Sequence, residues 1–259
     1  MINLAGKTAV VFGLANKRSI AWGIAQRLNQ AGATLAICYQ NERMKLEAEE
    51  LIKDLPGASG FQCDLSVDSE IDSLFAALKQ KYGKLDILVH AVAYAKREDL
   101  SGSFVDTSRD GFALAMDVSA YSLVALAREA RPYLRRGSSI LTLSYYGAEK
   151  VVSHYNVMGV AKAALEASVR YLAVDLGPDG IRVNAISAGP IRTLSAGGIA
   201  DFRKLYGPFD TIAPLRAHIT IEDVGKTAVY LGSDLSSAVT GEVVYVDGGF
   251  NILGVPTLD

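Results

Sequence analysis

Short apolar runs alternate with longer stretches of helical spacing along the whole chain, and this pattern limits the fold more than any other feature. Residues 8–12, 34–39, 60–62, 85–90, 139–143, 182–186 and 243–246 read as seven strands. Between them apolar residues recur near every 3.6 positions, as in Ile20, Ile24 and Leu28, or Ile71, Leu74 and Leu78. Strands separated by helices pair in parallel, and right-handed crossovers then lay the helices on both faces of one sheet. The expected architecture is a three-layer, doubly wound α/β fold with a seven-stranded parallel sheet. A chain of 259 residues suits one such unit. With no repeat or linker, residues 1–259 are expected to form a single domain.

Composition removes several classes of function. The chain is 50% hydrophobic and 21% charged, enough to build a large core. Lys and Arg total 26 against 28 Asp and Glu, so there is no cationic surplus for nucleic acid. The two cysteines, Cys38 and Cys63, are too few for a disulfide framework or a four-thiolate zinc site. Both read as buried residues of a reducing compartment. His90, His154 and His218 lack metal-ligand spacing, and no metal is expected. The N-terminus has no signal-peptide pattern, and no apolar run reaches the roughly 18 residues of a membrane span. A cytoplasmic location without a membrane span is the expectation.

The first strand ends at Gly13, and a helix starts near Ser19-Ile20. Gly13 permits a sharp turn, Ser19 offers a hydroxyl, and the helix N-terminus offers amides to a pyrophosphate. Gly23 allows a close approach of helix to strand. Plain turn chemistry explains these residues equally well. The second strand runs into Tyr39-Gln40-Asn41, where a dinucleotide's ribose lies in this topology. Gln40 favours a free 2′-hydroxyl, hence NADH over NADPH, although Arg43 and Lys45 are near enough to swing back. Asp64 follows the third strand and reads as an acceptor for an adenine amino group, as the N-cap of the next helix, or as both.

The segment 144–162 holds two Tyr/Lys pairings. Tyr146 and Lys150 share a helical face, but no helical pattern follows them. Tyr155 and Lys162 lie two turns apart at the start of a strong helical pattern over 157–176, and this is the preferred pair. Residues 191–211, with Gly197-Gly198, Gly207-Pro208 and exposed-looking aromatics, break the alternation. They read as a flap of short helices over a ligand, with a surface excursion as the plain alternative.

Several motifs then coincide. Lys162-Ala163-Ala164-Leu165-Glu166, the run Gly180-Ile181-Arg182-Val183-Asn184-Ala185-Ile186-Ser187-Ala188-Gly189-Pro190, and Thr240-Gly241-Glu242 with Asp247-Gly248-Gly249 resemble the short-chain dehydrogenase/reductase superfamily. The usual Tyr-x3-Lys would need tyrosine at 158, which is Met158 here, and His90-Ala91-Val92-Ala93 stands in place of Asn-Asn-Ala-Gly. Both departures, with Tyr155-x6-Lys162 and Tyr145 ten residues upstream of Tyr155, resemble the divergent NADH-type branch, the bacterial enoyl-acyl-carrier-protein reductases. The resemblance covers about residues 3–252.

That resemblance implies a Rossmann-type fold with a substrate-binding flap. It implies hydride transfer from NADH to the β-carbon of a 2-trans-enoyl thioester, giving a saturated acyl thioester in the elongation cycle of fatty-acid synthesis. The catalytic residues it implies are Tyr155, Lys162 and Tyr145. For the cofactor it implies Gly13, Ser19, Ile20, Gln40, Asp64, Leu65, Val92, Lys162, Ile191 and Thr193. For the substrate it implies Ala95, Tyr145, Tyr155, Ala196, Ile199, Phe202 and Tyr206. Acyl carrier protein is the implied partner and a homotetramer the implied assembly, with the apolar tail at 250–256 buried at a subunit contact. Two rival readings are a carbonyl-reducing relative, which Met158 argues against, and a catalytically silent nucleotide-binding regulator, which would have no need of Tyr155.

Overall fold

The protein is described by a computed structural model covering residues 2–255, without the side chain of Leu205. Its strands are β1 (Thr8–Phe12), β2 (Thr34–Tyr39), β3 (Ser59–Gln62), β4 (Leu85–His90), β5 (Leu134–Ser144), β6 (Arg182–Ala188) and β7 (Val243–Val246). They form one sheet in the order β3-β2-β1-β4-β5-β6-β7, with every pairing parallel. β1 has β2 on one side and β4 on the other. The winding therefore reverses there, and a crevice opens at the carboxyl ends of these strands.

The helices are α1 (Ile20–Gln30), α2 (Glu42–Ile52), α3 (Asp68–Tyr82), α4 (Arg109–Met116), α5 (Ser122–Ala130), α6 (Asn156–Leu176), α7 (Phe202–Tyr206), α8 (Phe209–Ile212) and α9 (Ile221–Gly232). Side chains alternate across β1. Ala9 and Val11 join the core beneath α1 and α9, whereas Val10 and Phe12 join the core beneath α3, α5 and α6. A strand buried on both faces has no polar side, which is why it reads as an unbroken apolar run. Each fully buried Val or Phe here contributes about 1.5–3 kcal/mol through removal from water.

Four strand limits differ from expectation, the end of β5 by a single residue. β3 starts one residue earlier, β5 five earlier, and β6 ends two later. The early part of β5, Leu134-Arg135-Arg136-Gly137, is too polar to show as a strand, and its pairing with β4 shifts register between Leu85 and Ile87. Gly23 serves another neighbour: a Cβ there would lie 2.4 Å from the Ile221 carbonyl oxygen, so it lets α1 approach α9 rather than a strand. Asp64 is not a helix cap, since α3 starts at Asp68 behind Val67.

A π-helical turn, Asp117–Tyr121, joins α4 to α5. The continuous stretch Arg109–Tyr133 is long and apolar enough to cross a membrane by length and composition alone. Half of its most apolar window is buried within the protein, as in the core helix of a globular fold. Cys38 and Cys63 are free and buried. The tail is described through Val255, with Ile252 and Val255 exposed on the isolated chain. Pro256 lies outside the described residues.

Candidate active site

Tyr155 and Tyr145 meet where β5 ends and α6 begins, and Lys162 is tied to the same strand end. Tyr155 caps α6 at its N-terminus and is only 8% exposed. Its neighbours His154 (φ 63°) and Asn156 (φ 42°) both lie in the left-handed region, which costs a non-glycine residue on the order of 1–3 kcal/mol. The turn is held from outside. The His154 imidazole lies 3.5 Å from the Asp201 carboxylate, and Asn156 donates to the Gly102 carbonyl at 3.4 Å. Tyr145 follows the last residue of β5 and sets its ring edge-on to Tyr155, with centroids 4.9 Å apart.

Two turns into α6, the Lys162 ammonium donates to the Leu143 carbonyl at 2.7 Å. Burial pulls its pKa down to about 8, with Glu166 pulling the other way. Burial raises both phenols, Tyr145 to about 12 and Tyr155 further still. At neutral pH the site thus holds two protonated hydroxyls beside an ammonium, a set able to donate hydrogen bonds to an oxygen on which negative charge develops. Below it His90 bridges Thr142 and Ser122 through its two ring nitrogens, each at 2.8 Å. Burial and Lys162 depress its pKa to about 3, so it is neutral. Its role is to brace β4 against β5 and α5.

The crevice beside β1 has features of an anion and nucleotide cradle. Gly13 has φ 90°, and a Cβ there would come 2.1 Å from the Ala91 carbonyl oxygen, so only glycine fits. The Ser19 hydroxyl donates to the Asn16 carbonyl at 2.6 Å instead of capping α1, which has no side-chain cap and no acidic residue in its first turn. That helix end is open to a phosphate. Ile20 follows as its first residue. At the ends of β2 and β3, Gln40 donates to the Asp64 carboxylate at 2.9 Å. Asp64 also accepts from the Ser66 amide and hydroxyl, and these bonds hold its carboxyl below the ordinary range. Lys45 is paired with Glu42 at 3.1 Å, away from this end. Leu65 and Val92 pack at the edge of the core beneath the crevice. Across from them Ile191 is buried, and the Thr193 hydroxyl accepts from the Ala196 amide at 3.1 Å. These donors and the open helix end fit a dinucleotide.

The segment beyond Thr193 is built of short helices: a 3-10 turn Ser195–Gly198, then α7 and α8. Its aromatics are less exposed than they look in sequence. Phe202 and Tyr206 are half-buried, and Phe209 is fully buried. Ala95, Tyr145 and Ile199 pack around a small apolar cluster of Leu100, Tyr155, Met158 and Ala161. A cavity of about 870 Å³ opens beside it, lined by Tyr145, Val152, Ile199, Phe202 and Phe250 among others. Ala196 is buried at the start of the flap and lines neither this cavity nor the next.

Tyr206 lines an adjoining cavity of about 930 Å³, which shares Ile199 and Phe202 with the first and is also lined by Arg18 and Arg192. Its ring is sandwiched between the Arg192 guanidinium, 4.2 Å from its centroid, and the His218 imidazole, parallel within 4° at 4.1 Å. Both ring faces are taken, and this packing ties the flap to the body.

Comparison with known proteins decides what family this architecture serves. A family model described as Enoyl-(Acyl carrier protein) reductase matches residues 13–251. The chain belongs to this family. The Enoyl-[acyl-carrier-protein] reductase [NADH] 1 of Rhizobium meliloti is 54% identical over 254 residues, 98% of this chain and 93% of that protein. A Bacillus cereus protein named as the NADH enoyl-[acyl-carrier-protein] reductase is 55% identical over 97% of this chain and 99% of its own length. A crystal structure of the Bacillus cereus reductase with NADP+ and an indole naphthyridinone superposes with TM-score 0.96, at 54% identity over 98% of this chain and 100% of that one. The reductase of Anaplasma phagocytophilum in complex with NAD gives 0.94 at 47% identity, covering 99% of this chain and 96% of that one.

Within this enoyl-acyl-carrier-protein reductase, three features at the site go beyond what the sequence reading assigned. One is Glu166, buried behind Lys162 and accepting from the Ser144 hydroxyl. The second is the link from His154 to Asp201. The third is the stack of Arg192, Tyr206 and His218. The first has a sequence signal, a carboxylate one turn beyond the lysine on the same helix face. The other two join residues far apart in irregular chain and have none.

Proposed function

We propose that this protein is the NADH-dependent enoyl-[acyl-carrier-protein] reductase that saturates a 2-trans-enoyl thioester in fatty-acid elongation. One observation carries the reading: two protonated phenols stacked edge to face, one of them lining a cavity, stand at the strand end that holds a buried ammonium, next to a dinucleotide crevice. When bound, NADH supplies the hydride that goes to the β-carbon. Tyr155 donates a hydrogen bond to the thioester oxygen, stabilising the enolate and serving as the proton source. Lys162 holds the nicotinamide ribose and keeps positive charge near that oxygen. Tyr145 lines the pocket beside the thioester, with Ala95, Ala196, Ile199 and Phe202 assigned to the acyl chain.

For the cofactor we assign Gly13, Ser19, Ile20, Gln40, Asp64, Leu65, Val92, Ile191 and Thr193. Ser19 acts through its backbone, because its hydroxyl is already engaged. Gln40, with no cation pairing it, suits an unphosphorylated ribose. Acyl carrier protein delivers the substrate, and the chain works as one domain with a flap over 191–211. A homotetramer is supported by the half-buried edge strand β7 and by exposed Tyr171 and Val174 on α6. A monomeric mass by light scattering at micromolar concentration would remove the tetramer. Two buried free thiols suit the cytoplasm.

The test is cofactor oxidation with a 2-trans-enoyl thioester and a 3-ketoacyl thioester, each with NADH and NADPH. Oxidation of NADH with the enoyl substrate alone is expected. Turnover of the keto substrate alone would make the protein a carbonyl reductase, and cofactor binding without any turnover would make it a regulator.

A further inference from the structure

Behind the reacting groups lies a buried carboxylate that the proposed mechanism does not use. Glu166 is 7% exposed and sits four residues after Lys162, so both project from one face of α6. The Ser144 hydroxyl donates to its carboxylate. Ser144 is the last residue of β5, and the residue before it, Leu143, offers the carbonyl that takes the Lys162 ammonium. The strand end and the helix are thus tied twice, lysine to backbone and backbone-borne serine to glutamate. A carbonyl gives Lys162 a lone pair but no opposite charge, and among the described residues no carboxylate lies within ion-pair distance of it.

We infer that Glu166 is the counter-charge of Lys162, a positioning residue that keeps the buried lysine an ammonium at working pH while its bond to Ser144 fixes the end of β5. The functional half of this rests on the assignment of Lys162 to the cofactor.

On α6, Arg170 stabilises the Glu166 carboxylate as Lys162 does, whereas burial and Glu149 push its carboxyl upward. Glu149 itself accepts from the Tyr245 hydroxyl of β7. On β4, His90 is neutral. At the head of the helix Tyr155 is held protonated, partly by Glu166. Glu166 is therefore the group that opposes the loss of the Lys162 proton. The sign follows: the ammonium is present below about 8 and is lost as pH rises through that value. Without the Glu166 charge, it is lost at lower pH.

The plain alternative makes Glu166 only a staple between β5 and α6. Glu166→Gln separates the two, since the amide oxygen still accepts from Ser144 but carries no charge. In the cofactor-free protein, a 13Cε-lysine NMR titration, with Lys162→Met to assign the signal, should show the Lys162 midpoint about half to one pH unit lower in Glu166→Gln. NADH affinity, read by fluorescence, should be about fourfold weaker than wild type at pH 8.5 and within about 20% of it at pH 6.5. Ser144→Ala keeps the charge and loses the tie, so its affinity should fall evenly across pH.

An unchanged Lys162 midpoint in Glu166→Gln overturns the inference. A shifted midpoint with no matching change in NADH affinity leaves the counter-charge standing and removes Lys162 from the cofactor site instead.

Discussion

The wall of the site and its flap are built in opposite ways. The wall hangs on central strands β4, β5 and β6, which are buried apart from the start of β5 and Leu143, and its side chains are cross-tied by His90, Lys162 and Ser144. The flap has no sheet to lean on. Side-chain contacts hold it: Asp201 to His154, Tyr206 between Arg192 and His218, and Phe209 packed on Phe250. Reacting groups need fixed positions within a fraction of an ångström, whereas a cover over a long acyl chain has to let go. Rigidity resides in the sheet, and movement in segments tied by a few exchangeable contacts.

Substitutions sharpen this contrast. The largest effect belongs to the wall: Tyr155→Phe should lower kcat with the enoyl thioester by about 100- to 1000-fold, leaving NADH affinity within about twofold. Equal loss of NADH binding in Tyr155→Phe and Lys162→Ala would break the division of labour between these residues. Next is Gly147→Ala, whose new methyl would lie 2.4 Å from the Tyr155 ring. It should cost about 1–3 kcal/mol in a denaturant melt and most of the activity besides.

The flap should respond more softly and in a different parameter. Tyr206→Leu removes a cation–π and a stacking contact, together about 1 kcal/mol. It should raise KM for the enoyl thioester about fivefold at nearly unchanged kcat, and speed proteolytic nicking near 200. Asp201→Asn frees His154 and Lys204 from a partly exposed pair and should raise the same KM about twofold. A fall in kcat as large as that of Tyr155→Phe from either flap variant would erase the contrast.

The same two regions differ in how much of them can be read from sequence. β1, β2 and β4 match their apolar runs because strands buried between helix layers have little room for polar side chains, and β7, a half-buried edge strand, matches its run as well. The place of Tyr155 at the head of α6, with Lys162 two turns along that helix, is also legible, whereas the left-handed residues on either side of Tyr155 are not. The start of β5 is hidden by Arg135 and Arg136, which face solvent on a strand whose pairing is set by β4. The role of Tyr206 is hidden more deeply: its partners lie 14 residues before and 12 after it in non-periodic chain. No local rule links them. Gly23 shows the intermediate case, a need for closeness that is plain in sequence and a neighbour that is not.

The left-handed residues on either side of Tyr155 have a consequence for how the protein works as a machine. A tyrosine inside a helix would be mounted on a rod. This one is mounted on a bent spring whose outer end, His154, is clipped to the flap. The backbone next to the phenol is thereby joined mechanically to Asp201, in the segment beyond Thr193.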